Sequence, residues 1–183
     1  FQIAPCFRDE DARADRSPGE FYQLDLEMSF VEQEDIFNVV EKLMVKLFKT
    51  FSSKKMLSDK FPRIPFREAM KKFGTDKPDL RNPLIIQDIT NIFNREDVKF
   101  DIFKKLVKSG SIVRAIITKK TQDKPRSFFD NIDKWAKEQG ASGLAYFTFE
   151  GDKNISAKGP VGKFFSEESL KEIMKITGAK LGD

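Results

Sequence analysis

The sequence predicts an α+β fold in two parts, and three observations support this prediction. Residues 1–30 contain two stretches in which apolar and polar residues alternate, which is the period of a β-strand. An amphipathic helical pattern follows. From about Pro83 the chain becomes a lysine-rich mixture of helix and strand patterns. We therefore expect a strand pair with a helix over residues 1–82, followed by a separate α+β domain over residues 83–183.

The first predicted element is a pair of strands joined by a charged loop. One face of the first strand carries Gln2, Ala4, Cys6 and Arg8. One face of the second carries Phe21, Gln23, Asp25, Glu27 and Ser29, and the opposite face of each strand is apolar. Periodicity alone leaves two interpretations open. The polar face is either simply solvated, or it is a site for a phosphate, a flat ring and an ammonium group.

Helical patterns dominate the rest of the first part. Residues 29–32 match a capping box, and a stripe of apolar residues from Ile36 to Phe51 predicts the helix that follows. Two prolines favour an extended segment over residues 61–66. A short helix is expected from about Arg67 to Phe73, with Gly74 as its terminating glycine, and then a charged loop to Pro83.

The sequence of residues 83–183 predicts alternating helices and strands. Helices are expected over residues 84–93 and 128–140 and after a capping Ser166. Strands are expected over residues 100–106, 111–118 and 144–149, with the turn between the first two at residues 108–110.

Composition excludes several kinds of protein. The chain has no run of 18 apolar residues, so no membrane span is expected, and it begins with a strand pattern rather than a secretion signal. Histidine is absent and Cys6 is the only cysteine, which excludes histidine-based triads, histidine metal sites and thiolate zinc sites within the chain. A single cysteine also fits a reducing compartment, and we expect a cytoplasmic protein.

Charge is unevenly distributed along the sequence. Residues 1–35 hold ten acids and three bases, a net charge of −7, whereas the whole chain carries +4, so residues 36–183 carry +11. A basic remainder suits a polyanion such as RNA. The alternative is that the lysines only form solvated helix faces.

Two long motifs resemble one enzyme family. Residues 7–10, the arginine-rich loop after them and the run Glu20-Phe21-Tyr22-Gln23-Leu24-Asp25-Leu26-Glu27 resemble motif 2 of class II aminoacyl-tRNA synthetases. The wording from Cys6 to Arg16 is similar to the bacterial type of aspartyl-tRNA synthetase. Residues 73–83, Phe-Gly-Thr-Asp-Lys-Pro-Asp-Leu-Arg-Asn-Pro, provide a second match at the distance that the family shows.

The lysine-rich part resembles a domain that is inserted in the same enzymes. Residues 140–146 and 159–164 carry this less specific likeness, which extends to a subunit of the tRNA-dependent amidotransferase. The resemblance implies an internal fragment: residues 1–82 as part of the class II antiparallel catalytic sheet, and residues 83–183 as a GAD-type inserted domain. Motif 1, motif 3 and the anticodon-binding domain would be absent, and the fragment alone would be inactive.

The resemblance also implies substrates and partners. The complete enzyme would be an aspartate-tRNA ligase that uses ATP and Mg²⁺, binds L-aspartate and tRNA(Asp), with tRNA(Asn) as a further candidate, and forms a homodimer. No protein metal ligand is expected in this chain.

Residue roles follow from the match to motif 2. Arg8 is implied as the catalytic residue that bridges the α-phosphate and the amino-acid carboxylate. The implied ATP-binding residues are Arg8, Glu10 and Phe21; the aspartate-binding residues are Arg8, Gln23 and Asp25; the tRNA-binding residues are Asp11, Arg13 and Arg16. Ser17-Pro18-Gly19 departs from the shorter Gln-Pro of relatives, so Ser17 is not assigned to ATP.

Two other hypotheses remain open from the sequence. The chain could act as a non-catalytic RNA-binding or interaction module of a synthetase-like protein. It could also belong to a paralogue that adenylates a different target and lacks tRNA charging. ATP–pyrophosphate exchange separates the first alternative from the enzyme.

Overall fold

The structure is a computed structural model that describes residues 1–9, 19–152 and 154–183. The chain divides into two compact units, Phe1–Arg63 and Ile64–Asp183, which are described separately. The division lies ahead of the boundary expected after Asn82, because the helix before Gly74 makes its contacts with the second unit. The assignment of residues 1–82 and 83–183 to two named domains stays a prediction.

The first unit begins with an antiparallel hairpin. Strand β1, Gln2–Phe7, pairs with β2, Glu20–Asp25, and the pairing runs from Gln2 opposite Asp25 to Phe7 opposite Glu20. A further hydrogen bond joins the Arg8 N–H to the Gly19 carbonyl at 2.8 Å. The two faces predicted from alternation are therefore paired polar to polar and apolar to apolar.

The apolar face of this hairpin is open to solvent. Ile3, Phe7 and Tyr22 are 64%, 74% and 73% exposed. The polar face is the more shielded one, since Cys6 and Gln23 are half-buried. The usual arrangement of an amphipathic sheet, with its apolar side in a core, is thus not completed within the described part of this unit.

Helix α1 runs from Gln33 to Phe51. The capping box expected over residues 29–32 is wrong, because Phe30 adopts a left-handed backbone conformation with φ 58° that a helix cannot include. Glu32 is the N-cap instead, and its N–H donates to the Asp35 carboxylate at 2.9 Å.

Residues 52–63 return along α1 and are fixed to it by one carboxylate. Glu41 accepts the backbone N–H of Phe61 at 2.6 Å and a guanidinium N–H of Arg63 at 3.1 Å. The Arg63 guanidinium also lies 4.7 Å from the centre of the Phe37 ring. None of the hydrophobic residues described in this unit is fully buried, so polar and cation–π contacts hold the segment.

Among its described residues, the second unit combines four helices with two small antiparallel sheets. Strand β3, Gln87–Asp88, pairs with β4, Arg114–Ala115, and β5, Thr148–Glu150, pairs with β6, Ser156–Lys158. The helices are α2 (Phe66–Phe73), α3 (Asp101–Lys108), α4 (Arg126–Glu138) and α5 (Glu167–Thr177), with 3₁₀ turns at Thr90–Asn94 and Gly162–Phe164.

One hydrophobic core holds this unit together. Its fully buried members come from the first 3₁₀ turn, β5, α5 and the segments beside them: Ile89, Ile92, Phe93, Val98, Phe149, Leu170, Ile173 and Ala179. Phe93 lies at its centre and contacts the rings of Phe103 and Phe165 at centroid distances of 5.2 and 5.8 Å.

Several predicted elements of this unit are wrong or shorter than expected. The strand predicted over residues 100–106 is helix α3, because its apolar residues recur at helical spacing and Phe103 and Val107 face the core. The helix predicted over residues 84–93 is instead β3 and a 3₁₀ turn. The strands expected over 111–118 and 144–149 are reduced to β4 and β5.

Two predicted helix termini and one predicted helix are confirmed. Helix α2 ends at Gly74, whose φ of 70° is the left-handed conformation that glycine adopts without strain. Helix α4 covers most of the predicted residues 128–140. Ser166 caps α5, since its hydroxyl oxygen accepts the Ser169 N–H at 3.0 Å.

Candidate functional site

The polar face of the hairpin gathers the predicted site residues that the structure describes. Residues paired across an antiparallel ladder project to the same side. The register places Gln2 beside Asp25, Ala4 beside Gln23 and Cys6 beside Phe21. The alternation along β2 therefore lines up Phe21, Gln23 and Asp25 on one surface, as the sequence predicts.

A carboxylate at one end of this face is held by two amides. Gln2 Nε2 donates to Asp25 Oδ2 at 3.2 Å, and Gln23 Nε2 donates to the other oxygen, Oδ1. These hydrogen bonds, that of Gln23 first and that of Gln2 second, lower the pKa of Asp25 below its ordinary value. Asp25 is thus a fixed anion at neutral pH, suited to pairing with an ammonium group.

An arginine and an aromatic ring form the other end of the face. Arg8 follows β1 directly, and its guanidinium carbon lies 5.6 Å from the centre of the Phe21 ring. The two residues are diagonal neighbours across the ladder, which explains their contact. A purine that stacked on this ring would take the opposite face or displace the guanidinium.

The two ends, Phe21 and Asp25, are four positions apart on one strand. At the rise of an extended chain, Phe21 and Asp25 are about 13 Å apart along β2. Gln23 lies between them on the same side. The face can therefore receive an elongated ligand with a flat ring and an anion at one end and a cation at the other.

Four predicted site residues lie outside the described residues: Glu10, Asp11, Arg13 and Arg16. Ser17, which is not assigned to ATP, lies outside them too. Within residues 1–9, 19–152 and 154–183, no group of three or more carboxylate or cysteine side chains could hold a metal ion.

Sequence reasoning missed Gln2 and Cys6 as members of the site. Alternation already put both on the polar face, but only the strand register shows that Gln2 contacts Asp25. Cys6 Sγ lies 3.9 Å from Gln23 Oε1. An antiparallel alignment of the two predicted strands about the charged loop would have placed Gln2 opposite Asp25 and so identified it.

The second motif, residues 73–83, forms an exposed loop in the second unit. Its charges pair within the loop: Arg81 Nε donates to Asp79 Oδ1 at 2.8 Å, and Lys77 Nζ to Asp76 Oδ2 at 2.8 Å. The bond from Arg81 lowers the pKa of Asp79 to about 2. These ion pairs fix the shape of the loop, although all four charged residues are exposed.

The second unit also carries a paired lysine–phenylalanine surface, formed by Lys99, Phe100, Lys163 and Phe164. The Lys99 N–H donates to the Phe164 carbonyl at 2.8 Å, which holds the two dipeptides side by side. The Phe100 and Phe164 rings stack with centroids 5.0 Å apart and planes 8° from parallel. Both lysines are exposed and both rings are half-buried. Phe100 also stacks on Phe103, so the exposed lysines, and not the rings, are the part of this surface that suits a polyanion such as RNA.

The family comparison places the chain in a class, the class II tRNA synthetases. The family model described as tRNA synthetases class II (D, K and N) matches residues 1–172, and the chain belongs to this family. This confirms the resemblance carried by motif 2 and the loop at residues 73–83.

Curated relatives give a narrower comparison. The chain is 79% identical to the aspartate–tRNA(Asp/Asn) ligase of Pelagibacter ubique (strain HTCC1062) over 183 residues, all of this chain and 31% of that protein. It is 59% identical to the ligase of the same name from Ehrlichia canis (strain Jake), over all of this chain and 30% of that protein. The chain thus spans about 30% of the length of these relatives.

The helices were also compared with the length and polarity of a membrane-spanning helix. In the part of the chain that the structure describes, no helix is both long enough and apolar enough to cross a membrane.

Proposed function

We propose that this chain contributes the motif 2 part of an aspartate–tRNA ligase active site. The observation that supports it most strongly is the Asp25 carboxylate, held by two amides on the same strand face as Arg8 and Phe21. That face offers an anion for the ammonium of aspartate, a guanidinium for anions and a ring for adenine. The names of the relatives, which are 79% and 59% identical, support the same assignment.

The proposed reaction has two steps. A carboxylate oxygen of aspartate attacks the α-phosphorus of ATP, a new O–P bond forms, and the bond to the β-phosphate breaks so that pyrophosphate leaves with the electron pair. A ribose hydroxyl at the 3′ end of tRNA then attacks the aspartyl carbonyl, and AMP leaves. Asp25 and Gln23 hold the ammonium group of aspartate so that its carboxylate points toward the α-phosphate.

Arg8 has the main electrostatic role in the first step. Two anions must approach each other, and a planar guanidinium can contact both while it offsets the charge that develops at phosphorus. In the structure this guanidinium lies over one face of the Phe21 ring, so adenine would stack on the opposite face or displace the guanidinium.

Further roles belong to the same proposal. Glu10 binds ATP, and Asp11, Arg13 and Arg16 contact the acceptor end of tRNA(Asp), with tRNA(Asn) as the second substrate candidate. The complete enzyme is a cytoplasmic homodimer. It uses Mg²⁺ together with ATP, and one or two carboxylates with the ATP phosphates would suffice to hold the ion.

A second candidate function is an RNA-binding module without catalysis of its own. The lysine–phenylalanine surface of the second unit favours it. The two functions are compatible, because one unit can bind tRNA while the other contributes to chemistry.

The first prediction tests the catalytic assignment in the complete ligase that carries this chain. Arg8→Lys keeps the charge but loses the planar fork, so we expect ATP–pyrophosphate exchange to fall at least about 30-fold, or about 2 kcal/mol of transition-state stabilisation. Arg126→Lys is the matched control, since the Arg126 side chain is 85% exposed and pairs with Asp130 in its own helix. Near-normal exchange in Arg8→Lys would contradict the proposal.

A further inference from the structure

Gln2 stands out because it contacts a proposed substrate-binding group and no role is assigned to it. It lies at the start of β1, directly opposite Asp25 in the ladder. Its Nε2 donates to Asp25 Oδ2 at 3.2 Å across the two strands. The residue itself is exposed, so this contact is not a by-product of close packing.

Each oxygen of the Asp25 carboxylate accepts a hydrogen bond from a different side-chain amide. Gln23, on the same strand, donates to Oδ1, while Gln2, on the neighbouring strand, donates to Oδ2. A carboxylate rotates freely about its last bond, and donors on both oxygens fix its plane. Each oxygen keeps a lone pair, so the group can still accept hydrogen bonds from an ammonium ion.

We propose that Gln2 is a positioning residue for the amino-acid substrate, which acts by holding Asp25 in the orientation that receives the ammonium group of aspartate. This inference rests on the proposed function, in which Asp25 is the ammonium partner. Gln2 touches the carboxylate and not the reacting atoms, so it acts on aspartate binding and leaves ATP binding unchanged. A pre-oriented anion binds a small polar ligand more tightly because less freedom is lost on binding.

The test measures KM separately for L-aspartate and for ATP by ATP–pyrophosphate exchange in the complete ligase. Gln2→Met keeps the side-chain length and removes the donor. We expect KM for L-aspartate to rise about tenfold, with KM for ATP within about twofold of its original value. Gln33→Met is the matched control, since Gln33 is exposed at the start of α1, and both of its KM values should stay unchanged.

A second variant shows whether Gln2 acts through Asp25. In an Asp25→Asn background, adding Gln2→Met should raise KM for L-aspartate by less than about twofold, because the carboxylate that Gln2 holds is gone. A full tenfold effect in that background would overturn the inference. It would also be overturned if Asp25→Asn raised this KM while Gln2→Met alone did not, and the proposed function would then still stand.

The remaining outcome concerns the proposed function itself. If Asp25→Asn leaves KM for L-aspartate unchanged, Asp25 is not the ammonium partner. The assignment of the aspartate site then fails, and the role of Gln2 fails with it.

Discussion

At the scale of single residues, each unit contains a carboxylate that is fixed by one donor two residues away and another from a distant part of the chain. Asp97 accepts two hydrogen bonds from Arg95, at 2.8 and 3.0 Å, and a third from the hydroxyl of Ser166. Arg95 also pairs with Glu172 on α5. The Arg95 and Ser166 bonds lower the pKa of Asp97 to about 2. This cluster links the segment before α3 to the N-terminus of α5.

Asp97→Asn tests this cluster. A group whose pKa is lower in the folded state stabilises the fold above its unfolded value, here 3.8, and the contribution is lost as the pH falls through about 2. We expect the substitution to lower the free energy of unfolding by about 1–2 kcal/mol at pH 7, and by less at pH 2.5. Urea denaturation followed by Trp135 fluorescence measures both values.

The control for this experiment is Asp130→Asn. Asp130 is 59% exposed and lies 3.6 Å from Arg126 in the same helix, so its loss should change stability by less than about 0.5 kcal/mol. Equal effects of the two substitutions would contradict the importance of the Asp97 cluster.

At the scale of elements, sequence patterns predicted what depends on local period and failed where tertiary pairing decides. Alternation gave both faces of the hairpin correctly, since side-chain direction in a strand is a local property. The strand predicted over residues 100–106 is an exception: β-propensity favours a sheet there, but the apolar residues recur at helical spacing and the segment forms α3. The contact of Gln2 with Asp25 depends on register, which a single strand does not contain.

Helix α2 gives the prediction at this scale. Its Lys72 carbonyl accepts the Ile86 N–H at 2.8 Å, its Lys71 carbonyl accepts Arg114 Nη1 at 3.0 Å, and Ala69 is only 2% exposed. A chain of residues 64–183 should therefore unfold at a higher urea concentration than one of residues 83–183, by about 2 kcal/mol in free energy. Identical unfolding curves would support a boundary after Asn82 instead.

At the scale of the whole molecule, charge and core are distributed differently between the units. The acidic run of residues 1–35 belongs to the first unit, whereas the fully buried hydrophobic residues of the described chain all lie in the second. The second unit therefore has the core needed for an independent fold and the lysines suited to a polyanion.

Binding of tRNA by the intact 183-residue chain tests this division. We expect affinity to fall as salt rises, and the double variant Lys99→Glu/Lys163→Glu to weaken binding and to reduce the slope of log affinity against log salt by about two. The variant Lys42→Glu/Lys46→Glu on α1 changes the net charge equally and should keep most of the binding. Equal losses in both variants would show that total charge, and not the paired lysine–phenylalanine surface, binds the RNA.

The open apolar face of the hairpin has a consequence for handling the chain. Phe7 and Tyr22 are exposed on this face, and the described sheet has no third strand. The hairpin therefore offers other copies of the chain both an apolar surface and unpaired backbone edges. We expect samples of this chain alone to self-associate as concentration rises, which light scattering would reveal before any loss of secondary structure. A charged substitution on that side, such as Tyr22→Lys, should improve colloidal behaviour without touching the polar face.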